Sequence, residues 1–361
     1  MKFTITLTTL IGYGLAHPAV SRLKSELRKQ TFQPSTEMIG DLITLPDSAL
    51  STVGQQVKNI LLGTGNPTDR TNFYTAPPGG RNAKACRADR CCIWKHIADD
   101  MKASMFDSGT GTCTDTARGA IRLGFHDAAA WSKTSGGSGA DGSILLSGSE
   151  MTRPENAALI PVGQQFTTWF DTYRSYGVTM ADLIQFGAKV AAASCPGGPR
   201  IRTFIGRTDN PNPAPQFLLP PVTLDAPAII EMFGNKTIGP GGLVALLGAH
   251  TASRQRTIDP ARSGDPQDST PGVWDTKYFT ETLSPDAPAN IFKFNSDISV
   301  STDPVTGPIF QQFASNKPAW DQAYATEYIR VSLLGVESIN GMVECSQVLP
   351  APVRNGGPGI Q

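Results

Sequence analysis

Between Cys92 and Leu334 apolar positions recur every three or four residues, in runs broken by stretches of Gly, Pro, Asn and Thr. That period is the mark of amphipathic helices. Helices are predicted over residues 92–105, 114–131, 167–176, 179–193, 227–233, 241–254, 275–282 and 318–334, with 241–254 the most apolar. Thr179, followed three residues later by Asp182, comes close to a capping box at the start of its helix. Strand signals are few and short, and no segment repeats. The expected fold class is mainly α, with function carried by two helices and the loops around them.

The residues before Cys86 read differently. Lys2, an apolar run to Leu15 and small residues ending at Ala16 have the form of an export signal over residues 1–16. The run is too short for a membrane span, and no later run is long enough. Residues 21–29 are charged with a helical pattern, 47–62 have a moderate helical pattern, and 63–81 are dense in Gly, Pro, Asn and Thr without periodicity. Residues 17–85 therefore read as an N-terminal extension and linker, with a pro-segment as one reading, ahead of a domain over 86–361.

The 36 Gly and 28 Pro residues fit helices joined by long irregular loops. Lys plus Arg number 31, as do Asp plus Glu, so there is no basic field for nucleic acid and no acidic tail for a charged partner. Cys86, Cys91, Cys92, Cys113, Cys195 and Cys345 are an even set that suits an exported chain stapled by disulfides. Counting alone leaves fifteen pairings open. Asn235-Lys-Thr237 is a glycosylation sequon, in keeping with export.

There are four histidines: His17, His96, His126 and His250. Only the last two sit in helices whose apolar faces imply burial. No cluster has zinc-ligand spacing. No Gly-x-Ser-x-Gly elbow suggests a serine hydrolase, and no Gly-x-Gly-x-x-Gly follows a strand. In Arg122-Leu-Gly-Phe-His-Asp127 a guanidinium and an imidazole, four residues apart, share one helix face, with Phe125 beside them and Asp127 turned away. Neither group neutralises the other, so the pair is poor structural glue. His250 by itself, alone on an apolar helix, reads first as a core residue.

Taken together, the two histidines suggest a flat cofactor between them. An axial imidazole on one face, with a free imidazole and a guanidinium on the other, is the layout that splits a peroxide at haem iron. Here the sequence resembles the plant-type haem peroxidases, and within them the secreted fungal class II enzymes (the lignin, manganese and generic peroxidases). Arg122 to Asp127 resembles their distal motif, and Val244-Ala-Leu-Leu-Gly-Ala-His-Thr251 their proximal helix; the resemblance runs from about Cys86 to Pro352. It implies two helical halves sandwiching one haem b, little β structure, and a peroxidase acting with hydrogen peroxide on small aromatic donors. It assigns His126 as the acid–base group, Arg122 as the stabiliser of charge on the departing oxygen, and Phe125 as a ring packed over the haem. Asn156, braced by Glu150 six residues earlier, would hold His126 in one tautomer. His250 would bind the iron and Asp297 accept its ring N–H.

The resemblance also implies two Ca2+ ions. Asp127 with Gly139, Asp141 and Ser143 matches the family's distal calcium site, and Thr251 with Asp268, Thr270, the Val273 carbonyl and Asp275 matches the proximal one. Such oxygen donors suit a hard cation. The bland reading of the first loop is a flexible acidic turn. The implied disulfides are Cys86–Cys92, Cys91–Cys345 and Cys113–Cys195; Pro308 stands where a fourth family bridge would have one of its cysteines.

Manganese-oxidising members of the family carry three carboxylates where this chain has Asp115, Gly119 and Arg256, and lignin-type members carry a surface Trp where it has Ala245. One carboxylate beside a cation makes a poor Mn2+ site. The expected donors are therefore small phenols or dyes, oxidised by one-electron steps at the haem edge by a secreted, extracellular monomer. A radical site at Trp94, Trp131, Trp169, Trp274 or Trp320 is a second reading. Gln267 replaces an aromatic residue that the family packs beside the proximal ligand. Readings from other classes are a secreted haem-binding protein without turnover, opposed by Arg122 and His126, and a calcium-stabilised structural protein, opposed by His250 and Asp297.

Overall fold

The computed structural model describes residues 32–354; the expected export signal at 1–16, His17 and the helical pattern at 21–29 lie outside the described residues. The α-helices are α1 (Thr52–Leu61), α2 (Lys84–Ala88), α3 (Cys92–Met105), α4 (Asp115–Ala128), α5 (Ser143–Leu146), α6 (Ile160–Tyr173), α7 (Met180–Ser194), α8 (Ala226–Gly234), α9 (Pro240–Leu247), α10 (Lys277–Leu283), α11 (Asn295–Thr302), α12 (Gly307–Ser315) and α13 (Lys317–Val331). Strands among the described residues form two antiparallel pairs, β1 (Phe106–Asp107) with β2 (Thr112–Cys113), and β3 (Phe204–Ile205) with β4 (Val343–Glu344). The fold is mainly α, as the periodicity predicts.

Side chains at the helix starts account for several boundaries. The hydroxyl of Thr114 caps α4 by accepting from Ala117 N–H, and that of Thr179 caps α7 by accepting from Asp182 N–H. Asp182 does not complete a capping box. Its carboxylate accepts from the N–H groups of Gly206 and Arg207 and forms a buried ion pair with the Arg207 guanidinium at 2.8 Å. Helix α6 begins at Ile160 rather than 167 because Pro161 falls in its first turn, where the missing N–H has no intrahelical partner to lose. The apolar segment predicted as one helix over 241–254 is α9 followed by a tighter 3-10 turn, Gly248–Ala252, which carries His250. Helix α11, rich in Ser and Thr, has no apolar stripe to reveal it.

Two packed groups position the site. Helix α4 lies along α7, every residue of which is buried, and α3 also packs on α7. Helix α9 lies along α13. Helix α13 reaches both histidine segments because a glycine admits it at each. A Cβ on Gly124 would stand 2.2 Å from the Tyr328 hydroxyl, and one on Gly248 would stand 2.2 Å from Trp320 Nε1.

Residues 32–62, expected to belong to an N-terminal extension ahead of the domain, contribute to the same core: Ile39, Leu42, Val57, Ile60 and Leu61 are buried in it. The buried Arg330 guanidinium donates to the carbonyls of Ser35, Glu37 and Leu61. Ser51 N–H donates to Asn340 Oδ1 at 2.7 Å, and Asn340 N–H to the Asp41 carboxylate. The turn-rich stretch 63–81 is tied down as well. Tyr74 N–H donates to Gln347 O at 2.9 Å, and buried Arg200 donates to Asp69 O at 2.7 Å. Backbone anchoring of this kind carries no periodicity, which is why the pattern suggests a linker. The disulfides Cys86–Cys92, Cys91–Cys345 and Cys113–Cys195 are all formed.

Candidate active site

Helix α4 presents Arg122, Phe125 and His126 on a face that is only half-buried, while Leu123, Gly124 and Asp127 on its other sides are buried. Arg122 Nε–H donates to His126 Nε2 at 3.2 Å. A guanidinium can only donate, so Nε2 carries the lone pair and the ring proton sits on Nδ1. That proton is donated to Asn156 Oδ1 at 2.7 Å. Asn156 Nδ2 in turn donates to the backbone carbonyl of Glu150 at 2.9 Å. Glu150 thus braces the amide through its main chain. Its buried carboxylate accepts from Ala214 N–H at 2.9 Å and faces Arg153. Burial, then the Arg122 charge, push the His126 pKa down to about 3 against the opposing pull of Asn156. The ring is therefore a neutral base at ordinary pH. Phe125 stacks on Phe233 of α8, with centroids 6.1 Å apart.

His250 has the complementary arrangement. Its Nδ1–H donates to Asp297 Oδ2 at 2.9 Å, and Asp297 is buried at the start of α11. The edges of Tyr278 and Phe294 confine the ring, each 5.5 Å away between centroids. Nε2 has no hydrogen-bond partner among the described residues, and the side chain stays 29% exposed amid buried neighbours. A histidine with one nitrogen locked on a carboxylate and the other free fits an iron ligand. Gln267 is buried, and neither polar atom of its side-chain amide has a hydrogen-bond partner among the described residues.

The two oxygen-rich clusters also assemble. Asp127 is buried with Oδ1 lacking a hydrogen-bond partner among the described residues, while Oδ2 accepts from Gly142 N–H at 3.3 Å and Gln185 Nε2 at 3.5 Å. Burial first, then the carboxylates of Asp141 and Glu150, hold its pKa well above the usual carboxylate range. Asp141 accepts from Ser143 N–H and from Asn210 Nδ2, and Ser143 is fully buried. The loop is packed rather than a free acidic turn: Gly139, at φ 126°, leaves only 2.2 Å between a would-be Cβ and Leu334 O. An unpartnered buried carboxylate oxygen next to a second carboxylate fits a cation. In the other cluster Thr251 Oγ1 donates to Asp268 Oδ2 at 2.5 Å and lies 3.4 Å from Val273 O, while Thr270 Oγ1 donates to Asp275 Oδ2 at 2.9 Å. Burial, reinforced by Asp275 and Glu281, lifts the Asp268 pKa to about 7. Among the described residues Cys86, Cys92 and His96 also stand close together, but the disulfide occupies both thiols.

Sequence reasoning passes over several partners. Gln185 links Gly124 O to Asp127, and its presence as an amide in a wholly buried helix was a readable signal. Phe233, Tyr278, Phe294 and Asn210 carried no such signal, because each reaches the site from a distant stretch of chain.

A mainly helical fold holding one neutral histidine beside an arginine, and a second histidine locked on a carboxylate, defines a haem peroxidase. Comparison with known proteins agrees: a peroxidase family model matches residues 97–316. The chain is 30% identical over 309 residues to a peroxidase of Arthromyces ramosus, covering 78% of this chain and 81% of that one. It is 32% identical over 310 residues to ligninase C of Trametes versicolor, covering 78% and 80%, and 30% identical over 286 residues to manganese peroxidase 3 of Phlebia radiata, covering 73% and 77%. The chain belongs to the peroxidase family, in the fungal class II branch of the plant-type enzymes.

Proposed function

We propose that this enzyme is a secreted peroxidase that binds one haem through His250 and oxidises small phenolic or dye-like donors with hydrogen peroxide, by one-electron steps at the haem edge. The hydrogen-bonded row Arg122–His126–Asn156 carries the reading. Haem, when bound, supplies an iron at which the peroxide O–O bond is split. His126 Nε2 takes the proton from one peroxide oxygen and delivers it to the other, which leaves as water. Asn156 keeps the ring in the tautomer that makes this possible, and the Arg122 cation offsets negative charge on the departing oxygen. Asp297 holds the His250 ring in place and increases its basicity as a ligand. Mere haem binding would require neither Arg122 nor His126, which weighs against a non-catalytic role.

Two Ca2+ ions are assigned to Asp127, Gly139, Asp141 and Ser143, and to Thr251, Asp268, Thr270, Val273 and Asp275. Each cluster includes the residue that follows a site histidine, so each ion would steady one side of the pocket.

The surroundings favour small donors. Both oxygens of Asp115 are held by cations, Arg118 at 2.6 Å and Arg256 at 3.1 Å, whose charge opposes Mn2+ there. A Cβ on Gly119 would already press on Val162 at 3.0 Å. Ala245, where the lignin-type enzymes place a surface tryptophan, is fully buried. Trp94, Trp169, Trp274 and Trp320 are buried too, which leaves half-buried Trp131 as the one indole open to a bulky donor. Three disulfides, together with the export-signal pattern in the sequence of residues 1–16, support an extracellular setting. No helix among the described residues is long and apolar enough to cross a membrane. The packing of residues 32–62 supports a catalytic domain that starts ahead of Cys86, with that segment retained.

Purified, haem-replete protein should show a Soret band and oxidise a phenolic dye only when peroxide is added. A protein that shows the band but never turns over would be a haem carrier instead.

A further inference from the structure

Helix α13 carries three easily oxidised rings, Trp320, Tyr324 and Tyr328, at four-residue intervals and so on one face. Their centroids are separated by 6.3 Å and 5.7 Å. Trp274 lies flat on Trp320, 5.0 Å away with 5° between planes, and meets Tyr324 at 4.7 Å. All four rings are buried. The row runs from one site histidine segment to the other. At one end Trp320 Nε1 donates to Ala245 O at 2.9 Å and its indole fills the space over Gly248, two residues before His250. At the other end the Tyr328 hydroxyl rests on Gly124, two residues before His126, and donates to Gln185 Oε1 at 3.3 Å. A second approach runs from His250 through Tyr278 (5.5 Å) and Phe279 (5.2 Å) to Trp320 (5.4 Å).

Packing alone explains a buried aromatic cluster, and phenylalanine meets that need at neighbouring Phe279, Phe310 and Phe313. The α13 row instead buries polar handles. Trp274 Nε1–H donates to Asp321 Oδ1 at 3.2 Å, and Asp321, itself buried, has to be paired with Lys317 at 2.7 Å. Burying that carboxylate is costly, and a phenylalanine at 274 would remove the need for it. What a buried indole stack offers in return is delocalisation: positive charge spreads over two parallel rings, one of which keeps its N–H on a carboxylate.

We propose that the Trp274–Trp320 pair, walled in by Tyr324 and Tyr328, is an internal electron donor that drains oxidising equivalents from the cofactor pocket when no donor is at hand. The proposal rests on the reading of the site as a haem peroxidase. Peroxide is the oxidant. One electron passes from the Trp274–Trp320 pair to the oxidised cofactor; no bond is made or broken. Trp274 keeps its N–H on Asp321, which stays paired with Lys317, until a donor returns the electron. Oxidation is thereby kept off the side chains that do the chemistry, and the expected benefit is a longer working life in peroxide.

The test adds a few equivalents of peroxide to the holoenzyme without donor and freezes it for electron paramagnetic resonance. An indole radical is expected, and incorporation of 5-fluorotryptophan, which leaves the fold intact, should change its hyperfine pattern. In a Trp274→Phe/Trp320→Phe variant with normal Soret band and circular dichroism, the indole signal should vanish and inactivation by peroxide should quicken several-fold, with oxidation products moving to pocket residues. Phenol oxidation at saturating donor should stay the same. A signal insensitive to fluorination, or a folded double variant with the parent's radical and inactivation rate, overturns the proposal while leaving the peroxidase intact. Lack of a Soret band or of phenol oxidation in the parent would bring down the reading of the site, and the internal electron donor with it.

Discussion

The two site histidines are held by the same device and end with opposite duties. Each has Nδ1 locked on a buried side chain, His126 on the neutral amide of Asn156 and His250 on the anionic Asp297. The remaining nitrogen differs too: that of His126 accepts from a guanidinium, while that of His250 makes no hydrogen bond among the described residues. Burial first, and then the nearby cation, keep His126 uncharged and ready to receive a proton, against the weaker opposing pull of the Asn156 amide. A carboxylate partner makes His250 the stronger electron donor to a metal. Burial, the neighbouring cation and the charge of the Nδ1 partner together separate a base from a ligand.

The largest effect that would break this comparison is functional exchange between the rings. His250→Ala is expected to abolish haem retention, read as loss of the Soret band. His126→Ala should keep the band and slow reaction with peroxide by about 10²–10⁴-fold; equal loss of haem in both variants would dissolve the distinction.

A milder change sharpens it. Asn156→Asp gives His126 the partner that His250 has. An anion beside the ring favours its protonated form, so a pKa now held at about 3 moves upward. The parent's reaction with peroxide should be flat through mildly acidic pH, whereas the variant should lose rate as pH falls and the ring takes up a proton. At neutral pH the variant should be slower by about 10–100-fold. Superimposable pH profiles in stopped-flow measurements would show that the partner's charge is irrelevant.

The smallest expected effect separates the two proposed calcium sites. The proximal donors can satisfy one another, Thr251 with Asp268 and Thr270 with Asp275, while Asp127 keeps an oxygen with no hydrogen-bond partner among the described residues. A chelator should accordingly remove the proximal ion first, with a modest Soret change and a few-fold loss of activity. The distal ion should leave later, with a fall in melting temperature, since a ligand bound only by the folded state stabilises it. Simultaneous release of both ions, followed by metal analysis and absorbance, would erase the difference.

Much of this was legible in the chain. Helical periodicity sets out α3, α4, α7 and α13 within a few residues, because each has an apolar face against the core. The boundaries failed where a proline opened a helix, at α6, or where polar residues hid one, at α11. Arg122 and His126 could be paired from spacing alone, since four residues on a helix guarantee a shared face. Asp297 could be reached only through resemblance, as its contact with His250 spans 47 residues of sequence.

By itself, then, the sequence determined the mainly helical class, the Arg122–His126 pair and the chemistry available to it, because local periodicity and short spacing govern all of them. Tertiary structure alone decided that Glu150 acts through its carbonyl, that residues 32–62 belong to the core, and that α13 threads two glycines to join the histidine segments. These are contacts between distant parts of the chain. Their geometry depends on backbone direction and close packing, and neither leaves a periodic trace in the order of residues.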